Sequence, residues 1–478
     1  MTLYSLTPQP ALPLDLQRTT SQRHMQAAEP DAVLMLEVDI ARPIPSVLFL
    51  DTLTGKRYTQ GLLLVRLHTR PIGFIDLETD NFQIPPEALA AIIWDALWLE
   101  IQKALAEEGL PVVDSLDAFG LPRTTTPHFL QERETLKQNA PLVSIIVCTH
   151  NRPDQIGVCL DALLRLDYPG GYEIIVVDSA PSTEATAELL TAEYSDEVHY
   201  LREDRPGLSF ARNRGLEVAL GEIIAFTDDD ALVEPNWLLE LLRGFHTGEN
   251  VACVTGLTLP SELETTAQVW LQREHGRRNG FARRLFDLDQ HRASDPLYPF
   301  RAPLSGAGVN MAFKAAVLRE IGGFDTALGV GTETYSGEDM AALFEVVLRG
   351  YQVAYEPGAM VYHDHRRTMA ELRQQMYGFG VGSGASLARA FREDRRLLVH
   401  FLGRLPAGMI GAFTLRPRTH RPKQIRRWRR QWPRQWPPQL WWELRLLVWW
   451  GFLRGPLAYR RSRRQVICPH PPAPFSLK

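Results

Sequence analysis

The runs VSIIVC (143–148), EIIVVD (173–178) and EIIAFTDDD (222–230) decide the fold. Each is a near-continuous apolar stretch, the composition needed by strands buried on both faces of a parallel sheet. Segments of helical spacing separate them. Pro153 opens a helix to about Leu166, a second runs from about Ser182 to Tyr194, and LSFARNRGLEVAL (208–220) is a third. VHYLRE (198–203) reads as a further strand. This alternation predicts right-handed crossovers and a mostly parallel, doubly wound α/β sheet.

Upstream, AVLMLEVDI, SVLFLD, LLLVRLHT and IGFIDLE read as short strands, and PPEALAAIIWDALWLEIQKALAEEG as a helix with Pro at its start and Gly109 at its end. Residues 121–140 are polar and aperiodic and are expected to be a linker; residues 1–30 are polar and expected to be poorly ordered. The expected organisation is an α+β accessory domain over 1–140 without catalytic spacing, a catalytic domain over 141–380, and a helical, basic tail over 381–478. The 45% hydrophobic and 23% charged content excludes wholesale disorder. Four dispersed cysteines without a C-x-x-C pair argue against a zinc ribbon or disulfide framework and for a reducing compartment. The N-terminus shows neither a basic n-region nor a long apolar core, so no secretory signal is expected.

In a sheet of this kind ligands bind beyond the carboxyl ends of the strands. Those ends carry Cys148-Thr149-His150-Asn151-Arg152, Asp178-Ser179 and Thr227-Asp228-Asp229-Asp230. No G-x-G-x-x-G follows a strand and no P-loop occurs, so dinucleotide and P-loop chemistry lose their main support. Three consecutive aspartates repel unless a cation or an extended geometry relieves them. Mg²⁺ or Mn²⁺ shared with a diphosphate would do so. Alternatively, one Asp caps the helix beginning near Pro235 and the others are solvated.

The segments VSIIVCTHNRP, EIIVVDSAPS, RPGLSFARNRGLEVALGEIIAFTDDDALVEPNWL and YSGEDMAALFEVVLRGYQVAYEPGAMVYHDHR, in this order over about residues 141–380, resemble the family 2 glycosyltransferases of the GT-A fold. The resemblance implies transfer from a nucleotide diphosphate sugar, with inversion, to a glycan or lipid-linked saccharide. It places the base and ribose of the nucleotide on Thr149, Asn151 and Asp178, and the diphosphate near Arg212. Asp228–Asp230 become the D-x-D element, with Asp228 and Asp229 toward the nucleotide and Asp230, with Asp228, on the metal. The common V-V-D-D-G-S form is replaced here by Asp178-Ser179-Ala180-Pro181-Ser182, so the second carboxylate is absent. Asp339 takes the place of the catalytic base, with Glu338 positioning it or touching the acceptor. A carboxylate suits that role because the acceptor hydroxyl loses its proton as the new bond forms. Without the resemblance, this pair only complements a helix dipole. His363 and His365 share one face of a strand, and His363 is a candidate metal ligand. The resemblance further makes Ser305–Asn310 the wall under the donor sugar and acceptor, and Arg373–Gly380 a segment that closes over the site. Residues 261–300 show no readable pattern; a mobile acceptor loop is one reading.

From Arg366 to Arg464 the chain holds 23 Lys+Arg against 4 Asp+Glu, together with seven of the 11 tryptophans. Gln424-Ile-Arg-Arg-Trp428 fits the Q-x-x-R-W pattern of processive synthases, but the flanking apolar stretches are too short to span a bilayer, and the match is read as coincidence. The tail is expected to lie on an anionic membrane surface, making a peripheral, cytoplasm-facing enzyme at the inner membrane face; packing of its helices on the catalytic domain is the alternative. Nucleic acid finds no support elsewhere in the chain. Two other functions stay open at this point: a non-catalytic sugar- or nucleotide-binding module, and a nucleotidyltransferase of similar fold, although THNRPDQ lacks the glycine-rich basic loop the latter needs.

Overall fold

The computed structural model describes residues 32–51, 54–122, 125–276, 280–293, 295–300, 308–414 and 438–467. The expectations for residues 1–30, for Ser305–Ala307 and for Gln424–Trp428 lie outside these. The chain forms two compact units, one of residues 1–136, 259–282 and 362–369, the other of residues 137–258, 283–361 and 370–478.

In the first unit, the strand Gln60–Leu67 pairs parallel with Leu34–Asp39 and antiparallel with Arg70–Glu78. The hairpin turns at His68 and Thr69, both at positive φ. The helix Pro86–Glu107 buries Leu89, Ala90, Ile93, Leu97, Ile101, Ala104 and Leu105, a single face at spacings of three and four. The expected linker contains a helix, His128–Gln138. It buries only Phe129 and Arg133, one turn apart, with the Arg133 guanidinium 5.0 Å from the Phe129 ring centre. One anchored turn leaves too little apolar periodicity for a sequence pattern to register. The unread stretch 261–300 likewise holds a helix, Thr266–Glu274, closed at its start by a Thr265–Gln268 capping box, and a strand, Arg284–Phe286.

The second unit is built on a nine-stranded sheet. Four strands form its parallel part: Val143–Thr149 lies between Tyr172–Ser179 and Ile223–Asp228, and Val198–Glu203 adds beyond Tyr172–Ser179. Met311–Lys314 pairs antiparallel with both Ile223–Asp228 and Val251–Pro260, extending the sheet on the other side. The predicted crossover helices are present at Pro153–Leu163, Ala185–Glu193 and Leu208–Val218. The expected α/β architecture is therefore the one observed. The core gathers Ile146, Ile175, Val177, Ile224, Phe226 and Phe313 from the strands with Leu343, Val346 and Val347 from the helix Glu338–Leu348. That helix is thereby locked to the sheet whose carboxyl ends carry the polar residues. The tail supplies the helices Met369–Glu393, Arg395–Thr414 and Pro438–Ile467. No helix among the described residues is long and apolar enough to cross a membrane.

Candidate active site

The strand Val143–Thr149 delivers Thr149 to the sheet edge, where its hydroxyl donates to Asp229 Oδ2 at 2.7 Å. His150 Nδ1 lies 2.6 Å from the Ser179 carbonyl, tying the ends of two neighbouring strands. Asn151 adopts φ +53°, a left-handed conformation that asparagine tolerates. Its Oδ1 accepts from both the backbone N–H and the hydroxyl of Ser182 at 2.9 Å. Ser182 is thus fastened to the first strand end despite the missing second carboxylate.

Asp178 is fully buried at the end of its strand. Its Oδ2 accepts from the Tyr200 hydroxyl at 3.4 Å, while Oδ1 has no hydrogen-bond partner among the described residues. Burial pushes the carboxyl pKa up, opposed by the Tyr200 bond. A buried acceptor left open in this way favours a ligand that brings a donor.

The expected repulsion within Asp228–Asp230 is present, and a residue given no role from sequence relieves it. Arg152 Nη1 lies 3.0 Å from Asp229 Oδ1 and 3.3 Å from Asp230 Oδ2. Even so, burial and the neighbouring Asp230 push the Asp229 carboxyl up to about 6, against the pull of Arg152 and the Thr149 bond. Asp228 and Asp230 present carboxylate oxygens within 4.8 Å of each other. Hard oxygen donors at this spacing suit Mg²⁺ or Mn²⁺, so the residues fit the expected cation. His363 is the last residue of the strand Gln352–His363.

Arg212 is only 2% exposed. Its Nη1 lies 2.9 Å from Glu338 Oε1, and its Nη2 lies 3.7 Å from Asp228 Oδ1 and donates to the Gly308 carbonyl at 3.3 Å. One guanidinium thus reaches the aspartate cluster and the acidic helix start. Phe226 and Phe324 flank it, with ring centres at 5.8 and 5.3 Å. Glu338 is buried, and its pKa is raised by burial first and by Asp339 second, with Arg212 opposing.

Asp339 follows at the start of the helix Glu338–Leu348. Its Oδ2 accepts from the Gly308 N–H at 2.9 Å and its Oδ1 from the Met340 N–H at 2.7 Å. Two backbone donors fix the carboxylate, and each oxygen retains capacity to accept a proton. Gly337, before the helix, has φ +103° and its carbonyl accepts from Ser386 Oγ at 2.7 Å. A Cβ there would sit 2.6 Å from the Gly382 carbonyl oxygen and from Ser386 Oγ. Close approach of the helix Met369–Glu393 therefore requires glycine. Asn310, expected near the donor sugar, is instead fully buried: its side chain donates to the Leu257 and Ala359 carbonyls at 3.0 and 2.9 Å and accepts from Trp237 Nε1 at 2.9 Å. Arg152 and Ser386 were given no role from sequence; Arg152 stood at the correct strand end, Gly308 lay in the segment expected to wall the donor sugar although its hold on Asp339 was not foreseen, and Ser386 carries no sequence signal.

An α/β sheet with acidic strand ends beside a carboxylate-bearing helix start is an arrangement that a glycosyltransferase can use. The family model described as glycosyltransferase like family 2 matches residues 140–377, and the chain belongs to that family. It is 24% identical over 225 residues to the glucosyl-dolichyl phosphate glucuronosyltransferase of Haloferax volcanii, covering 46% of this chain and 68% of that one. With the pre-mycofactocin glycosyltransferase of Mycobacterium tuberculosis it shares 28% over 242 residues, covering 50% of this chain but only 47% of that relative. The succinoglycan biosynthesis protein ExoM of Rhizobium meliloti is 26% identical over 52% of this chain and 75% of its own. Among solved structures, the mannosyltransferase PcManGT from Pyrobaculum calidifontis, in complex with GDP-Man and Mn²⁺, has 18% identity and a TM-score of 0.43, covering 66% of this chain and 87% of that one. The chain is thus an enzyme, a family 2 glycosyltransferase.

Proposed function

We propose that the protein transfers a sugar, with inversion, from a nucleotide diphosphate sugar to the hydroxyl of a glycan or lipid-linked saccharide. The observation that carries this reading is the Arg212 bridge. A single buried guanidinium contacts both Asp228, in the acidic cluster, and Glu338, beside Asp339. That shared contact supports a reading in which the base and leaving-group ends of the reaction lie close together.

Thr149, Asn151 and Asp178 hold the base and ribose, with Asp178 supplying an acceptor, and Asp228 and Asp229 complete the nucleotide side. Asp230 and Asp228, with His363, would hold Mg²⁺ or Mn²⁺. That cation supplies electrostatic stabilisation of the departing diphosphate. Arg212 adds positive charge beneath Asp228 as negative charge gathers there. The Asp339 carboxylate takes the acceptor hydroxyl proton while the oxygen bonds the anomeric carbon and the bond to the diphosphate breaks. Glu338 and the Gly308 amide position Asp339. We further infer that residues 141–380 form the catalytic domain and that the basic tail keeps the enzyme at the inner membrane face. Relatives named for a dolichyl phosphate substrate and for succinoglycan biosynthesis support such acceptors.

The test is a panel of nucleotide sugars with release of the nucleoside diphosphate as the readout. Asp339→Asn should lower kcat by roughly 10²–10⁴ while donor binding is kept. Asp230→Ala, and to a smaller degree His363→Ala, should raise the Mn²⁺ concentration needed for turnover, and chelation should abolish it. Full activity in Asp339→Asn would overturn the base assignment; release of pyrophosphate instead would indicate nucleotidyl transfer.

A further inference from the structure

The helix Pro438–Ile467 has two unlike faces. Leu444, Gly451, Gly455, Tyr459 and Ser462 are turned inward. Gly451 and Gly455 meet Gly380 and Gly384 of the helix Met369–Glu393 so closely that a Cβ at any of the four would strike the facing backbone. The Tyr459 hydroxyl donates to Asp325 Oδ2 at 2.8 Å, whereas the exposed Glu443, at the margin between the two faces, has its Oε1 2.6 Å from Arg373 Nε. This face is fully engaged.

The opposite face carries Trp442, Leu446, Trp449, Trp450, Leu453 and Leu457, each between 45% and 70% exposed. At about 100° per residue the six fall within an arc of about 100°. Arg445 and Arg454 stand roughly 90° to either side of the centre of that arc on the same helical count. Each stacks on a tryptophan: Arg445 lies 4.1 Å from the Trp441 ring centre, and Arg454 lies 5.2 Å from that of Trp450. Arg460, Arg461 and Arg464 extend the charge toward the end of the helix.

We propose that this face, Trp442 to Leu457, is a docking surface for an anionic lipid bilayer. The inference rests on the membrane-surface reading above and names the contact that serves it. Tryptophan favours the interface, leucine fills the acyl boundary, and flanking arginines reach acidic headgroups while their stems stay on the apolar stripe. Pairing with the same face of a second copy would set arginine rows of like sign against each other. Nucleic acid has no use for Leu446, Leu453 and Leu457, which offer neither charge nor a stacking plane.

The full-length protein should co-sediment at low salt with phosphatidylcholine vesicles containing phosphatidylglycerol, and far less with phosphatidylcholine alone. Trp449→Glu/Leu453→Glu, on the exposed face, should lower retention at least about tenfold, since two large apolar side chains are withdrawn from burial. Leu220→Glu, another exposed apolar position (76% exposed), should leave retention unchanged. Circular dichroism, and release of nucleoside diphosphate from the donor in the presence of a water-soluble acceptor, should match wild type in both variants. Equal retention of wild type and the double variant would overturn the assigned face while leaving membrane binding by another part of the tail. No retention of wild type would overturn the membrane reading and this face together, without touching the chemistry. A solution dimer that the double variant splits, or retention on DNA lost in it, with no vesicle binding, would assign the face to those partners instead and overturn the proposal.

Discussion

Arg212 and Glu338 form an ion pair of 2.9 Å that solvent barely reaches, with side chains 2% and 6% exposed. Two charges held out of water persist only when each is well paired, and here the pair also sets the distance between the aspartate cluster and the acidic helix start.

Arg212→Met should therefore cost about 3–5 kcal/mol of stability, because Glu338 is left buried without its partner. Replacing both, as Arg212→Met/Glu338→Leu, should recover a large part of that loss without recovering turnover. Urea midpoints for the four proteins of the cycle measure both outcomes.

Gly337→Ala should destabilise by roughly 1–3 kcal/mol, through the positive φ and through collision with Gly382 and Ser386. Because Gly337 precedes the two acids, kcat should fall more than the donor KM rises. An unaltered melting temperature would show that the two helices can separate freely.

Asp178→Asn should act in opposite senses on folding and on binding. The change removes a buried carboxyl whose charge is already disfavoured by burial, so thermal stability should hold or rise. Loss of a charge-assisted hydrogen bond should weaken nucleotide binding about 10–100-fold, read by calorimetry.

The raised Glu338 pKa predicts a signed pH effect. The folded state holds this proton more tightly than the unfolded chain, so its contribution is fully present below the ordinary glutamate value and is lost as pH rises through the raised folded value. Across that window wild type should lose stability relative to Glu338→Gln. Denaturation midpoints of the two proteins that run parallel with pH would contradict the buried, raised carboxyl.

The parallel strands, the helices between them and the polar strand ends at Thr149, Asp178 and Asp228 were determined by the sequence alone. Apolar runs of strand length and the turn signals between them are local properties, and a local pattern suffices to specify an element and which end faces the crevice. The same holds for the acids that follow Gly337. The tertiary structure alone decided that Arg212 lies between Asp228 and Glu338, that the Gly308 amide holds Asp339, and that Arg152 pairs with Asp229 and Asp230. These partners are far apart in the chain and meet only through the order of strands in the sheet. Which face of the Trp-rich helix packs inward was likewise beyond its composition, since apolar residues occupy both faces. The glycines at 380, 384, 451 and 455 settle it, because they permit backbone contact on one side and leave the tryptophans and leucines on the other.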